Sequence, residues 1–109
     1  MATSTIPNLN DRFRNLQQVP AGSSVSLTVA DSTRAMLLVI GGSNRTMSII
    51  FVSGSATGTV SIGRMDFVDN GLITAESPGS NQLTVSNAAT GVNPNMYALV
   101  FTGSVTRNS

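Results

Sequence analysis

The chain has 109 residues, enough for one domain with its own core and too few for two. Only 10% of the residues are charged, against about 25% in an ordinary soluble protein, and the net charge is +1. Lysine, tryptophan and runs of like charge are absent, so we expect no nucleic-acid partner. The sequence shows no secretory signal and no apolar run long enough for a membrane span, so we expect neither export by the usual signal nor membrane insertion.

The first twenty residues carry a helix-like pattern that ends before Pro20 and Gly22. Four apolar residues recur at the a/d spacing of a short helix seam: Ile6, Leu9, Phe13 and Leu16. So short a helix is marginal alone in water, so it must pack against something. One alternative is that the segment packs against its own β domain or never becomes helical. The other is that three copies wrap around one another as a stalk. We therefore predict a short N-terminal helix or extended arm for assembly or attachment over residues 1–22, with these four residues in assembly, and a β domain over 23–109.

The next segments read as strands. Residues 24–29 alternate polar and apolar side chains with period two, as a half-buried strand does. Residues 35–40 form a continuous apolar run closed by turn residues, which predicts a central strand covered on both faces. Residues 46–52 form a third strand that can pair with the second as a hairpin. One face of this third strand carries Met47, Ile49 and Phe51, and the other carries Ser48, Ile50 and Val52.

The apolar face changes side in the segment that follows. Val60 and Ile62 share one parity, whereas Met65 and Phe67 have the opposite parity. Because a shift of one residue moves every side chain to the other face, the sequence predicts a bulge or sharp bend at Gly63.

Turn signals divide the rest of the chain. Asp69-Asn70-Gly71 predicts a tight hairpin between strands at 64–68 and 72–76, because Asn-Gly readily adopts positive φ angles. Further strands are predicted at 82–86 and 96–105. Seven or eight short strands separated by Gly, Pro or Asn predict an all-β fold, an antiparallel β-sandwich of jelly-roll type. Four aromatic residues lie in apolar alternations and are predicted to be core: Phe51, Phe67, Tyr97 and Phe101.

The residues needed for most catalytic sites are missing. Without histidine, cysteine or lysine there is no Ser-His-Asp triad, no thiolate or imidazole metal ligand and no Schiff base. Asp66, Asp69 and Glu76 are the one local group of acids, and two of them could face each other across a sugar as in a glycosidase. A structural role explains these acids better than catalysis does. Asp69 begins a turn, and Asp66 and Glu76 occupy solvated strand positions where Arg64 can pair with them. We expect no catalytic residue, no metal, no cofactor and no enzyme activity.

The C-terminal quarter of the chain runs Leu-Thr-Val-Ser-Asn over residues 83–87, then a loop, then Tyr-Ala-Leu-Val-Phe-Thr-Gly over residues 97–103. This rhythm resembles the closing strands of bacteriophage tail-fibre and receptor-binding domains. The resemblance implies a virion protein, commonly a homotrimer of β-sandwich domains that attaches to a host or decorates a particle beside other virion proteins. Family members often have longer N-terminal shafts than the twenty residues here, which leaves tail fibre, head fibre and capsid decoration open. The motif is a fold-level one, so no functional residue is carried over.

The expected function is therefore that of a phage structural or attachment protein in the virion, acting through multivalent contact. Few charges and strands that are apolar on both sides suit a chain that buries surface between subunits. Asn44, Asn70 and Asn93 lie in loops that are candidates for ligand contact, for example with a host-surface glycan. The alternatives are a monomeric carbohydrate-binding module and a small carboxylate-dependent hydrolase, and the mass in solution distinguishes the monomeric module from a trimer.

Overall fold

The structure is a computed structural model that describes residues 12–41, 47–68, 73–88, 91 and 93–108. Its elements are nine β-strands. In chain order they are β1 (Phe13–Gln18), β2 (Ser23–Val29), β3 (Arg34–Ile40), β4 (Met47–Ser53), β5 (Ser61–Val68), β6 (Ile73–Gly79), β7 (Gln82–Asn87), β8 (Asn95–Thr102) and β9 (Val105–Arg107). The all-β prediction is confirmed. Within the described ranges, no helix is long and apolar enough to cross a membrane.

The strands form two antiparallel sheets. The first sheet has five strands in the order β1-β8-β3-β4-β5, and the second has four in the order β6-β7-β2-β9. The inner faces of both sheets contribute to one hydrophobic core. Strands β3, β4 and β5 follow one another as a meander within the five-stranded sheet, and the predicted jelly-roll connectivity is not confirmed.

The core follows the period-two pattern of the sequence. Leu27 of β2, Leu37 of β3 and Leu83 of β7 are completely buried, and their immediate neighbours in each strand point the other way. Each such aliphatic side chain stabilises the fold by about 1.5–3 kcal/mol relative to leaving it exposed. Strand β3 lies in the middle of its sheet and pairs with β4, so its predicted central position and its pairing with β4 are confirmed. The predicted coverage of both faces is not confirmed, because Met36, Leu38 and Ile40 on the outer face are only half-buried.

Polar contacts tie the loops together at one end of the two layers. The Thr33 hydroxyl is buried, donates to the Ser104 carbonyl at 3.1 Å and accepts from the Ser104 amide at 3.0 Å. Gly103, at a φ of 76°, lies so close to Thr33 that a Cβ would collide with it. These contacts fix the connection between β8 and β9 against the turn that precedes β3.

Of the two forms predicted for residues 1–22, a short helix or an extended arm, the helix is not confirmed over residues 13–18. Phe13 and Leu16 lie in strand β1, which pairs antiparallel with β8 and has a register shift between Asn15 and Gln17. Backbone bonding to the edge of β8 replaces the marginal helix. The Arg107 guanidinium adds further bonds by donating to the carbonyls of Leu16 and Gln18. Ile6 and Leu9 lie outside the described residues, and the division of the chain at residue 22 stays a prediction.

Two further local predictions are wrong. The β4–β5 ladder runs without interruption past Gly63, and its register shift lies instead between Met47 and Ser48. Met65 has the opposite parity to Ile62 because it lies on the outer face of the sheet, so no bulge is needed at Gly63. The extra residue of β5 is Phe67, because Ser48 pairs with Asp66 and Met47 pairs with Val68. Strands β5 and β6 belong to different sheets and do not form a hairpin. The turn residues 69–71 themselves lie outside the described residues.

The two-layer core can be tested at adjacent residues of β7. We expect Leu83→Ala to lower the free energy of unfolding by about 2–5 kcal/mol, because it leaves a cavity at a fully buried position. Thr84→Ala, on the outer face, should change it by no more than about 0.5 kcal/mol. Urea denaturation followed by circular dichroism measures both values, and equal effects would contradict the described orientation of β7.

Candidate assembly surface

The outer faces of the two sheets differ sharply in chemistry. We call the outer side of the five-stranded sheet the apolar face, because large apolar side chains cover it on all five strands. It consists of Phe13, Met36, Leu38, Ile40, Met47, Ile49, Phe51, Met65, Phe67, Tyr97, Leu99 and Phe101. We call the outer side of the four-stranded sheet the hydroxyl face. It consists of Ser24, Ser26, Thr28, Thr74, Glu76, Gln82, Thr84, Ser86 and Thr106.

Strand register makes the apolar face continuous. Phe13, Leu99, Met36 and Phe51 are paired in turn across four neighbouring strands. The next row pairs Tyr97, Leu38, Ile49 and Met65 in the same way. The rings of Phe13 and Tyr97 stack with their centroids 5.6 Å apart. Cross-strand pairs of this kind place apolar side chains within contact distance, so the face is one patch.

The apolar face is too large for an isolated protein in water. Phe67 is 81% exposed, Met65 55%, Phe101 51% and Phe13 46%. At about 150–250 Å² for each aromatic side chain, the four exposed phenylalanines alone present about 400 Å². With the methionines and the half-buried residues, the face approaches roughly 800 Å², above the ~300–600 Å² of the largest patch on a typical monomer and near one partner's share of a standard interface.

Polar residues begin where the apolar face ends. Arg34, at the start of β3, is the charged residue at this margin, and its guanidinium donates to the Thr33 carbonyl at 2.8 Å. Ser53 and Ser61 are paired beside it on β4 and β5. An apolar centre with a polar margin is the usual anatomy of a protein–protein interface.

A charged cluster on the inward side of β5 connects this strand to β4. Strand β5 carries the two most exposed large apolar side chains of the described residues, Met65 and Phe67. The hydroxyl of the buried Ser48 donates to Asp66 Oδ1 at 2.5 Å, and Arg64 Nε donates to the two carboxylate oxygens at 2.8 and 2.9 Å. The hydrogen bond from Ser48 and the contact with Arg64 hold the pKa of Asp66 below its ordinary value. Strand β5 is thus fixed to β4 at the position between Met65 and Phe67.

The two acidic residues of this group that the structure describes, Asp66 and Glu76, do not face each other. Asp66 points inward from the five-stranded sheet and is bound by Arg64 as predicted, whereas Glu76 is exposed on the hydroxyl face. Asp69 lies outside the described residues. Nor does any group of three acidic residues come together as metal ligands within the described ranges.

The predicted burial of the aromatic residues is wrong for three of them. Phe51 is 40% exposed, Phe67 81% and Phe101 51%, while Tyr97 is half-buried by its stack on Phe13. The period-two pattern identified the residues that share a face but not the face that the second sheet covers. The change of parity between Ile62 and Met65 was the available signal for a second apolar face.

The candidate assembly residues of the N-terminal segment are divided by β1. Phe13 lies on the apolar face, whereas Leu16 is 6% exposed and belongs to the core. Their role in assembly stays a prediction. Of the three loop candidates, Asn44 and Asn70 lie outside the described residues. The Oδ1 atom of Asn93 accepts from the Ala21 amide at 2.7 Å, which fixes the turn before β2.

The hydroxyl face carries a network of short polar side chains. Ser24 and Ser86 share a hydrogen bond of 2.7 Å across β2 and β7. Gln82 Nε2 and Asn108 Nδ2 both donate to Thr28 Oγ1, at 3.1 and 2.8 Å. Unlike the apolar face, this surface is compatible with permanent contact with water.

The comparisons with known proteins give a likeness of fold. Neither a protein-family model nor a curated protein matches the sequence. Among solved structures, the chain is similar to the tailspike protein gp49 from Acinetobacter baumannii bacteriophage Fri1, a capsular polysaccharide depolymerase. The TM-score is 0.65 at 16% sequence identity, and the match covers 88% of this chain and 18% of the tailspike chain. This chain therefore spans less than a fifth of that protein, and at this identity the match establishes the fold alone.

The cluster around Asp66 predicts a pH-dependent stability. Because the pKa of Asp66 is lowered in the folded state, its stabilising contribution is present above the ordinary value of about 3.9 and is lost as the pH falls through the folded value. We expect Asp66→Asn to reduce the free energy of unfolding at pH 7 and to have progressively less effect below about pH 4. Urea titrations from pH 2 to 7 measure the difference.

The control for this experiment is Ser48→Ala, which removes the largest cause of the shift. In that background, the effect of Asp66→Asn should depend less on pH. An effect of Asp66→Asn that stays constant from pH 7 to pH 2 would show that the described cluster does not form.

Proposed function

We propose that this chain is a β-sandwich module of a phage virion that assembles as a homotrimer through its apolar face and takes part in attachment to the host surface. The observation that carries the proposal is the continuous apolar face on one side of the domain. The similarity in fold to part of a phage tailspike protein supports the viral setting.

The sidedness of the domain supports assembly through this face. Covering the apolar face with further copies removes most of the exposed large apolar side chains from water and leaves the hydroxyl face outside. The low charge of the chain agrees with this arrangement, since few charged groups have to be desolvated. A monomeric carbohydrate-binding module would have to keep the same patch in water.

Attachment follows from displaying three hydroxyl faces on one rigid body. Serine, threonine, glutamine and asparagine side chains can exchange hydrogen bonds with sugar hydroxyls, and the similar tailspike protein acts on a capsular polysaccharide. Each face lacks exposed aromatic rings, so a single contact is expected to be weak. Three linked contacts raise the apparent affinity by effective concentration. Catalysis is not part of the proposal, because this chain spans only 18% of the depolymerase.

The assembly can be tested by mass with one variant on each face. The unmodified chain should have about three times its 11.3 kDa in light scattering. We expect Met65→Glu to give a folded monomer, because Met65 is 55% exposed in the single chain and its charge would be buried only in the assembly. Thr84→Glu, on the hydroxyl face, should leave the mass unchanged. A monomeric unmodified chain would support the carbohydrate-binding module instead.

The attachment role can be tested with the same variants on cells. Fluorescently labelled trimer should bind encapsulated Acinetobacter baumannii cells and not a capsule-free strain, since the similar tailspike protein acts on capsular polysaccharide. The Met65→Glu monomer should bind at least about 100-fold more weakly, because it loses the multivalent contact. A trimer that binds neither strain would contradict attachment to this capsule and favour a structural role in the particle.

A further inference from the structure

We infer that the assembly is aligned by one head-to-tail contact, in which Phe67 of each copy lies over Gly63 of the next copy. This inference rests on the assembly proposed above, and it names the contact that sets how the copies align. Both residues lie on the same edge strand, β5: Gly63 pairs with Phe51 of the apolar face, and Phe67 is the extra residue of the bulge beyond Met65.

The projecting side of the fit is Phe67. It is 81% exposed, more than any other large apolar residue in the described part of the chain. It is the extra residue of a bulge between the paired residues Asp66 and Val68, and the preceding Asp66 is held by hydrogen bonds from Ser48 and Arg64. A large apolar ring on a fixed strand can insert into a partner with little loss of backbone entropy.

The receiving side of the fit is the surface at Gly63. Gly63 lies opposite Phe51, in a groove of about 560 Å³ whose lining also includes Met36 and Phe101. The strand does not need glycine at this position: φ is not in the left-handed region, and a Cβ would lie 3.6 Å from Phe51 Cβ, an ordinary contact. The missing side chain therefore leaves the ring of Phe51 accessible from outside.

A second copy is the occupant that suits this groove. Phe67 and Gly63 are four residues apart on one extended strand, about 13 Å, so a chain cannot fill its own groove. Every copy nevertheless carries both the projection and the groove. A contact between two different patches closes into a ring when its rotation allows, so each copy of a trimer gives one Phe67 and receives another. The groove is mainly apolar and has Arg34 and two serines in its lining, so an apolar ring can enter it with little polar surface to desolvate.

Disulfide trapping tests the contact directly, because the natural chain contains no cysteine. The double variant Gly63→Cys/Phe67→Cys should form intermolecular disulfides under mild oxidation, and the ladder on a non-reducing gel should end at three chains. The matched control is Gly63→Cys/Thr84→Cys, whose second position lies on the hydroxyl face and which should form no such ladder.

An exchange of the two residues tests whether the fit stabilises the assembly. Phe67→Gly alone should raise the concentration at which the oligomer dissociates at least tenfold, and Gly63→Phe alone should do the same by filling the groove. The double variant Gly63→Phe/Phe67→Gly exchanges projection and groove and should restore assembly. Circular dichroism on each variant checks that the fold is retained.

The outcomes separate this inference from the assembly itself. An oligomeric chain that neither cross-links nor recovers on exchange would overturn the Phe67–Gly63 contact and leave the proposed assembly standing. Cross-linking that ends at two chains would support the contact and overturn the three-fold order. A monomeric full chain that becomes oligomeric once residues 1–11 are deleted would overturn both, since the N-terminal segment would then be what covers the groove.

Discussion

The five-stranded sheet is apolar on both faces, and the four-stranded sheet can cover only one of them. On the inner side, Leu37 and its neighbours are buried in the shared core. On the outer side, the same strands present Met36, Phe51 and Phe67 to the surrounding water. An exposed apolar surface of this size is typical of a site that contacts another molecule.

The two layers accordingly have different tasks. The four-stranded sheet closes the core with one face and presents hydroxyl and amide groups with the other. The five-stranded sheet closes the core with one face and presents the apolar face, through which we propose that copies join, with the other. Between them, the contacts of Thr33 with Ser104, and of Asn81 with the carbonyls of Val29 and Ser55, fix the loops at one end. The fold thus combines an apolar outer surface with an outer surface of hydroxyl and amide groups that suits contact with water.

Period-two patterning was enough to predict the strands around Leu27, Leu37 and Leu83 and the pairing of β3 with β4, because those features depend on neighbouring residues. It failed where the outcome depends on distant parts of the chain. The Asn70-Gly71 sequence after β5 predicts a hairpin, yet β5 pairs with β4 and β6 with β7. The helical spacing of Phe13 and Leu16 did not predict their structure, because this segment instead pairs as strand β1 with the edge of β8. The exposure of Phe67 depends on which face the second sheet covers, and no local pattern encodes that choice.

The central claim is that other copies of the chain cover the apolar face. The rate at which individual methionines are oxidised tests this claim directly, because it depends on their exposure to solvent. Met65 lies on that face and is 55% exposed in the single chain, whereas Met96 is buried in the core. Oxidation by dilute hydrogen peroxide, followed by mass spectrometry, measures the accessibility of each sulfur. We predict that Met65 oxidises nearly as slowly as Met96 in concentrated protein and much faster on dilution. Rapid oxidation of Met65 at every concentration, with Met96 still protected, would contradict the account.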